Sequence, residues 1–296
     1  MPRHPQQRNV KPRKRTKRGV TLHRSEATGA RVETVLRSAN LDLRESRDLL
    51  VHVLRKPLSF LIAHPETTLT PTQNRKFRNL VSKRRRGVPF AYLTGHQGFY
   101  GRTFRVTPAT LIPRPETELL VDLALRIHGQ KQRPRIADIG TGSGCIAVTL
   151  AKELPRSRVS ATDISSRALR VAQFNARKHN VNKRVAFTRG SLLSPLRQDE
   201  RPHVVIANLP YLPVADAQKL KKEPQLALAA GKDGLTLVKK LIQQAAARRL
   251  PHLLLEIDPR QQRLLAHFLK PYFYHVAWHK DAAGRVRVVE LLDTGC

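Results

Sequence analysis

Residues 137–145 read Ala137-Asp138-Ile139-Gly140-Thr141-Gly142-Ser143-Gly144-Cys145. The apolar run that ends at Ile139 predicts a buried strand, and the three alternate glycines predict a tight turn that opens a helix. Glycines let a ligand approach the backbone closely, and the N-terminus of a helix offers it free N–H groups. This stretch therefore predicts a nucleoside-cofactor site at the end of a strand.

Strands and helices alternate from residue 135 towards the end of the chain. Apolar runs predict strands at 135–139, 158–162, 203–207, 252–257 and 286–292, and helices lie between most of them, at about 144–154, 166–180, 233–249 and 260–269. This alternation is typical of an α/β fold with a mostly parallel sheet covered by helices on both faces. In such sheets ligands bind beyond the carboxyl ends of the strands, near the point where the strand order reverses.

Two acids accompany the glycine turn. Asp138 lies just before it, and Asp163 ends the next predicted strand, 23 residues beyond Gly140, where a carboxylate is expected to bind ribose hydroxyls. A nicotinamide cofactor would satisfy the ribose contact and the glycines equally well. However, the spacing G-x-G-x-G differs from the dinucleotide pattern, and an acid beside the loop suits the cationic S-adenosyl-L-methionine better. We therefore expect S-adenosyl-L-methionine as the cofactor.

A second polar turn, Asn208-Leu209-Pro210-Tyr211, follows an apolar run. An amide nitrogen is a poor nucleophile because its lone pair is delocalised, so an amide acceptor must be held in position. The side-chain oxygen of Asn208 and the backbone carbonyl of Leu209 can accept its two N–H bonds, Pro210 stiffens the turn, and Tyr211 can lie against the planar amide. These four residues are the predicted catalytic and substrate-binding residues, and the alternative is a plain loop turn.

The chain before the sheet has three predicted parts. Residues 1–24 lack hydrophobic periodicity and carry nine Lys or Arg and no acid, so we expect a disordered basic tail. Residues 25–87 show helical spacing and predict a small helical domain, and residues 88–112 predict a β-hairpin linker. The α/β domain then occupies residues 113–296.

The composition narrows the class of protein. The chain has 55 Lys plus Arg against 22 Asp plus Glu, a net charge of +33, which favours association with polyanions such as RNA or ribosomes. A general basic bias that maintains solubility explains the charge equally well. Two cysteines make neither a disulfide framework nor a metal cluster, and no apolar run reaches the length of a membrane span, so we expect a cytoplasmic protein without bound metal.

These motifs resemble those of the HemK/PrmC group of protein-glutamine methyltransferases, from about residue 30 to the C-terminus. The glycine loop and the Asn208–Tyr211 turn are found in amino methyltransferases broadly, and the segment Leu111–Glu118 with the helical N-terminal domain narrows the match to this group. Further matching landmarks are Tyr92-Leu93-Thr94-Gly95, Phe99-Tyr100-Gly101, Glu223-Pro224, Asp233-Gly234-Leu235 and Gly284-Arg285. The resemblance implies a seven-stranded class I, Rossmann-like methyltransferase domain and a helical domain that recognises the substrate.

The resemblance also implies an activity and a set of site residues. The activity is methylation of the glutamine in the Gly-Gly-Gln motif of peptide-chain release factors, with the acceptor entering beside Asn208. Ser191 stands where an acid commonly meets the adenine amine, Leu209 stands where proline is commonest, and the 212–222 connection is shorter than usual. The cofactor-binding residues are then Asp138, Gly140, Thr141, Gly142, Ser143, Gly144, Asp163, Ser191, Leu192 and Asn208.

Three other functions fit the same motifs. The chain could methylate a glutamine of a ribosomal protein, which would suit its basic charge. It could methylate adenine in RNA or DNA, because the same turn can bind an exocyclic amine, although no base-reading module is recognisable. It could also be an RNA- or ribosome-binding protein that kept the fold without activity.

Overall fold

The computed structural model describes residues 30–128, 132–219, 222–272 and 274–293. The basic tail predicted at residues 1–24 lies outside the described residues. The chain divides into two compact units, Met1–Arg78 and Asn79–Cys296. The predicted domain boundary at residue 87 stays a prediction.

The first unit is helical. Its helices are α1 (Val32–Ser38), α2 (Leu43–Leu54), α3 (Leu58–Ala63) and the start of α4 (Pro71–Arg85). Helix α4 begins with a reciprocal cap: the Thr70 N–H donates to Gln73 Oε1 at 2.8 Å, and the Gln73 N–H donates to Thr70 Oγ1 at 3.2 Å. This reciprocal pair satisfies two N–H groups that a helix start leaves free.

The second unit opens with a short helix, α5 (Phe90–Thr94), and the predicted hairpin, β1 (His96–Phe99) and β2 (Arg102–Arg105), which are antiparallel. Both turn residues, Tyr100 and Gly101, have positive φ angles, as a two-residue turn that matches the strand twist requires. The hairpin is anchored because Phe99 and Phe104 are buried in the same core as α6 (Glu118–His128).

Seven strands form the main sheet, in the order β5-β4-β3-β6-β7-β9-β8. Strand β9 runs antiparallel to both of its neighbours and the other pairings are parallel, so the predicted mostly parallel sheet is confirmed. Two strands, β5 and β8, were not predicted from the apolar runs. The strands are β3 (Arg135–Ile139), β4 (Arg158–Asp163), β5 (Val185–Arg189), β6 (Val204–Ala207), β7 (His252–Glu256), β8 (Tyr274–Lys280) and β9 (Val286–Asp293).

Helices cover both faces of this sheet. Alternate strand residues divide between two cores. Ile136 and Val204 pack with α6 and α7 (Cys145–Glu153), whereas Ala137 and Val205 pack with α10 (Thr236–Ala247) and α11 (Gln262–Leu269). This is the doubly wound arrangement that alternating strands and helices predict. The remaining helices of this unit are α7 (Cys145–Glu153), α8 (Ser166–Lys178), α9 (Val214–Ala217), α10 (Thr236–Ala247) and α11 (Gln262–Leu269). No described helix is long and apolar enough to cross a bilayer.

The strand register brings four loops to one edge of the sheet. Ile139, the last residue of β3, pairs with Thr162 of β4 on one side and with Ala207 of β6 on the other. Ala207 in turn pairs with Leu255 of β7. The loops that follow β3, β4, β6 and β7 therefore begin side by side, at the point where the chain order of the strands reverses.

Candidate active site

The glycine turn after β3 packs tightly against the turn after β6. Gly140 has a φ of +74°, and a Cβ built on it would lie 2.9 Å from Leu209 Cδ2, so the position has no room for a side chain. A Cβ on Gly142 would meet nothing closer than a backbone oxygen at 3.9 Å. Gly140 thus joins the two turns, while Gly142 leaves open space beside the backbone for a ligand.

Asp138 is fully buried behind the glycine turn. Its Oδ2 accepts hydrogen bonds from Thr141 Oγ1 at 2.6 Å and from the Ala147 N–H at 3.1 Å, so it ties the turn to the first residues of α7. Burial raises the pKa of Asp138 to about 6. Asp138 therefore holds the loop from behind, and its contact with a cofactor stays a prediction.

Asp163, at the end of β4, faces the same turn from the neighbouring strand. Its Oδ2 accepts a hydrogen bond from the Gly142 N–H at 2.9 Å, and its Oδ1 accepts one from the Ser165 N–H at 2.8 Å. Burial raises the pKa of this carboxyl above its ordinary value. A carboxylate has about four acceptor positions, so two bonds leave capacity for ribose hydroxyls.

Asn208 follows β6 and lies next to Gly140 in the sheet register. Its Nδ2 donates a hydrogen bond to Thr117 Oγ1 at 2.9 Å. Its Oδ1 is buried and has no hydrogen-bond partner among the described residues. A buried amide oxygen without a partner is costly, so this atom is available to an N–H group of a ligand.

The rest of the Asn208–Tyr211 turn (the acceptor turn) is held by the side chains of Glu256 and Gln261. The Tyr211 hydroxyl donates to Glu256 Oε1 at 3.4 Å, and the Tyr211 carbonyl accepts from Gln261 Nε2 at 2.8 Å. Burial raises the pKa of the Tyr211 hydroxyl, so the group stays protonated as a donor.

A cavity of about 350 Å³ lies where these turns meet, a volume typical of small-molecule sites. Most of the predicted residues line it, and Asp138, Gly144 and Tyr211 are absent from the lining that the described residues form. The contact of Tyr211 with an acceptor amide therefore stays a prediction. The predicted residues in the lining are Gly140, Thr141, Gly142, Ser143, Asp163, Ser191, Leu192, Asn208, Leu209 and Pro210.

The cavity has walls that the sequence did not predict. One is the segment that leads from Asp163 into α8 and supplies Ile164 and Arg167. Another is the Pro224–Ala227 stretch, which supplies Leu226. The first had a signal, because residues just beyond a strand-end carboxylate lie at the same sheet edge. In the second, Pro224 belongs to a matching landmark, but no pattern in the sequence indicated that Leu226 would line a cavity.

An ion pair ties two of these walls together. Arg114 is paired with Glu223, whose second oxygen accepts a hydrogen bond from the Ile112 N–H at 3.3 Å. The Leu111–Glu118 segment is thereby joined to the connection that follows Tyr211. Both Arg114 and Pro224, the neighbour of Glu223, line the cavity. The ion pair between Arg114 and Glu223 therefore fixes the rim of the cavity.

The residues present suit S-adenosyl-L-methionine. Asp163 offers acceptor positions for ribose hydroxyls, and Ile164, Leu192 and Leu226 offer apolar surface for a planar base. Gly142 leaves open space beside the backbone. Asn208, whose buried Oδ1 has no hydrogen-bond partner among the described residues, lines the same cavity.

Comparisons with known proteins agree with this geometry. Residues 30–95 match the model of the PrmC N-terminal domain, and residues 116–248 match the model of the methyltransferase small domain. The N-terminal domain of human METTL16 in complex with SAH has a TM-score of 0.53 at 16% identity, and the alignment covers 83% of this chain and 94% of that chain. At this identity the likeness shows the fold, a class I methyltransferase.

Relatives of known name extend over much of the chain. The release factor glutamine methyltransferase of Moorella thermoacetica is 44% identical over 202 residues, 67% of this chain and 71% of the relative. That of Deinococcus radiodurans is 35% identical over 257 residues, 85% of this chain and 91% of the relative. That of Coxiella burnetii is 40% identical over 214 residues, 72% of this chain and 76% of the relative. The chain therefore belongs to the release factor glutamine methyltransferase family.

Proposed function

We propose that the protein transfers a methyl group to the side-chain amide nitrogen of the glutamine in the Gly-Gly-Gln motif of peptide-chain release factors. The observation that carries the proposal is the buried Oδ1 of Asn208, which has no hydrogen-bond partner among the described residues and belongs to a residue that lines the same cavity as the glycine turn. The names of the family's relatives, release factor glutamine methyltransferases, support this acceptor.

S-adenosyl-L-methionine is the methyl donor, and its sulfonium supplies an electrophilic methyl group. The bond from sulfur to the methyl carbon breaks as the bond from the amide nitrogen forms, and the amide then loses a proton to water. Asp163 and Leu192 hold the donor, because they supply acceptor positions for the ribose and apolar surface for the base.

The acceptor turn positions the substrate amide. Asn208 Oδ1 and the carbonyl of Leu209 accept the two N–H bonds of the glutamine side chain, which turns the face of the nitrogen towards the methyl group. The rigid Pro210 holds both acceptors in place. The protein thus acts mainly by orienting two reactants, which can lower a barrier by several kcal/mol.

Mass spectrometry of a release factor, incubated with the protein and S-adenosyl-L-methionine, tests the proposal. The Gly-Gly-Gln peptide should gain the mass of one methyl group. A matched release factor with that glutamine changed to asparagine should gain none, because its shorter side chain does not reach the Asn208 oxygen.

The alternative acceptors are outcomes of the same experiment. Methyl groups found in a ribosomal protein or in nucleic acid, with the release factor unmodified, would overturn the proposal. A release factor is a translation protein, so the site of action is the cytoplasm. Association with RNA or ribosomes is proposed on the net charge of +33 alone.

A further inference from the structure

Hydrogen-bonded side chains stand behind the catalytic amide. Asn208 Nδ2 donates to Thr117 Oγ1, and the Tyr211 hydroxyl donates to Glu256 Oε1. The other oxygen of Glu256, Oε2, is buried and has no hydrogen-bond partner among the described residues, and the nearby Thr117 hydroxyl favours the charged form of this carboxyl. We propose that Thr117 and Glu256 are positioning residues that fix the Asn208 amide with its oxygen towards the acceptor. The turnover assays that test this inference use a release factor as substrate and therefore rest on the proposed function.

The fold brings these residues together from three distant parts of the chain. Ala207 pairs with Leu255 in neighbouring parallel strands, so Asn208 and Glu256 lie side by side at the strand ends. Thr117 ends the short helical turn Pro115–Thr117, and only 2% of it is exposed. Glu256 is 1% exposed, so these polar groups are withheld from water and must satisfy one another.

With Glu256 ionised, the donors and acceptors favour one arrangement. An ionised carboxylate only accepts hydrogen bonds, so Glu256 can accept the single Thr117 hydroxyl proton. The Thr117 oxygen can then only accept, and the group that Asn208 turns towards it must be the NH₂. The carbonyl oxygen of Asn208 is left towards the cavity, where it can accept an N–H bond from a substrate amide.

Loss of the Glu256 carboxylate would remove the preference for this orientation of the Asn208 amide. Without Glu256 the Thr117 hydroxyl is free to donate to Asn208 Oδ1, which requires the amide to turn over by half a rotation. The NH₂ of Asn208 would then face the NH₂ of the acceptor, and two donors cannot form a hydrogen bond. The second donor to Glu256, Tyr211, belongs to the same turn as Asn208, so the carboxylate also holds that turn.

The first test removes the hydroxyl. Thr117→Val keeps the shape of the side chain, and we expect kcat on a release factor to fall about 100-fold, the cost of a misplaced reacting group, with the Kd for S-adenosyl-L-methionine unchanged. Thr117→Ser retains the hydroxyl and should restore most of kcat. The matched control is Thr149→Val on α7, because Thr149 is equally buried and its Oγ1 has no hydrogen-bond partner among the described residues.

The second test removes the acceptor. Glu256→Met should lower kcat to a similar extent, whereas Glu256→Gln retains an acceptor oxygen and should lose less. Assays at about pH 8.5 keep Glu256 ionised, because burial raises its pKa to about 7. The variant with both Thr117→Val and Glu256→Met should be no slower than the slower single variant, because both act through Asn208. Multiplied losses would contradict the proposal.

A third measurement needs no substrate. The side-chain NH₂ signals of Asn208 in an NMR spectrum, assigned by their loss in Asn208→Ala, should shift and exchange faster with water in Thr117→Val and Glu256→Met than in Thr149→Val. If the wild-type protein does not methylate release factors but these signals behave as expected, the proposed function fails and this inference stands. If both variants keep wild-type kcat and wild-type signals, the inference fails and the function stands.

Discussion

The glycine turn (residues 140–144, the cofactor turn) and the Asn208–Tyr211 turn (the acceptor turn) follow neighbouring strands of the sheet. They are held by different kinds of contact. In the cofactor turn, Asp138 bonds to residues three and nine positions away, and Asp163 bonds to Gly142, 21 positions away. In the acceptor turn, Asn208 bonds to a residue 91 positions away. The side-chain bonds of Asp138 and Asp163 to the first turn thus stay within the segment from β3 to β4, whereas the bond of Asn208 joins parts of the domain that are distant in the chain.

This difference separates the two tasks of the site. A locally held turn can bind a cofactor of fixed shape, because its geometry follows from a short sequence. Under the proposed function the acceptor turn receives a side chain from another protein, and the Asn208 oxygen, which has no partner among the described residues, has to be aimed by distant elements. The difference can be tested in four ways.

The largest effect is expected from removing the amide. Asn208→Ala should lower kcat on a release factor about 1,000-fold, comparable to the loss of one preorganised hydrogen-bonding group. Calorimetry should show unchanged binding of S-adenosyl-L-methionine. The reciprocal variant, Asp163→Ala, should instead weaken that binding roughly 50-fold, the value of a charge-assisted hydrogen bond. If Asn208→Ala weakens cofactor binding as strongly as Asp163→Ala, the two turns do not have separate tasks.

The second effect concerns pH, because one buried acid on a neighbouring strand bonds to each turn: Asp138 to the first and Glu256 to the second. Burial raises the pKa of Glu256 from 4.5 to about 7 and that of Asp138 from 3.8 to about 6. The folded protein therefore binds these protons more tightly than the unfolded chain, so each acid lowers stability as the pH rises from its unfolded to its folded pKa.

Glu256→Gln removes one of these ionisations. The free energy of unfolding of this variant, relative to that of the wild type, should rise by about 3 kcal/mol between about pH 4.5 and 7 and level off above it. Urea unfolding at several pH values measures the difference. Asp138→Asn is the matched variant in the cofactor turn, and its gain should be complete by about pH 6. Parallel pH curves for wild type and Glu256→Gln would show that Glu256 is not protonated by burial.

The third effect tests the support of the acceptor turn. A Cβ built on Gly234 would lie 2.0 Å from the Tyr211 carbonyl oxygen, so Gly234→Ala should lower the free energy of unfolding by about 3 kcal/mol through overpacking and backbone strain. Gly284 is the matched control, because its φ of +74° is close to the +72° of Gly234 and nothing lies within 4 Å of its Cβ position.

Gly284→Ala should therefore cost only about 1 kcal/mol, the strain of the left-handed conformation alone. Thermal or urea unfolding of the two variants gives both values. Equal losses would mean that the acceptor turn moves aside easily, which would contradict its rigid support.

The smallest effect concerns the rim of the cavity. Glu223→Gln removes the ion pair with Arg114, in which the carboxylate is only 10% exposed, and should lower the free energy of unfolding by about 1 kcal/mol. Asp199→Asn removes the Arg197–Asp199 pair, whose side chains are 81% and 68% exposed, and should change it by less than half as much. Equal small losses would indicate that the rim is as solvated as the open surface.

The parts of the site that the sequence revealed are those with local signals. The glycine turn and Asp163 follow apolar strands directly, so the pattern of residues indicated both their structure and their place at the sheet edge. Glu256 offers the same signal, because it ends the apolar strand His252–Glu256, and it was overlooked. Thr117 offered no such signal for its contact with Asn208, because only the folded sheet brings the two together.

The two strands that the apolar runs missed have a common cause. Strand β5 lies at one edge of the sheet, and from its second residue on it is half-buried or exposed, so it lacks a continuous apolar run. Strand β8 lies at the other edge and includes the polar residues His275 and His279. Edge strands pair on one side only, so their sequences are less constrained by burial than those of the central strands.

The contact between Gly140 and Leu209 carries a consequence for how such chains diverge. Leu209 Cδ2 lies 2.9 Å from the place of a Cβ at position 140, so a side chain there would push the end of the Leu209 side chain aside, and the φ of +74° would strain it in addition. A smaller residue at 209 removes the first of these two costs, so the order of mutations changes the cost along an evolutionary path. The two positions should therefore covary, although 69 residues separate them in the chain.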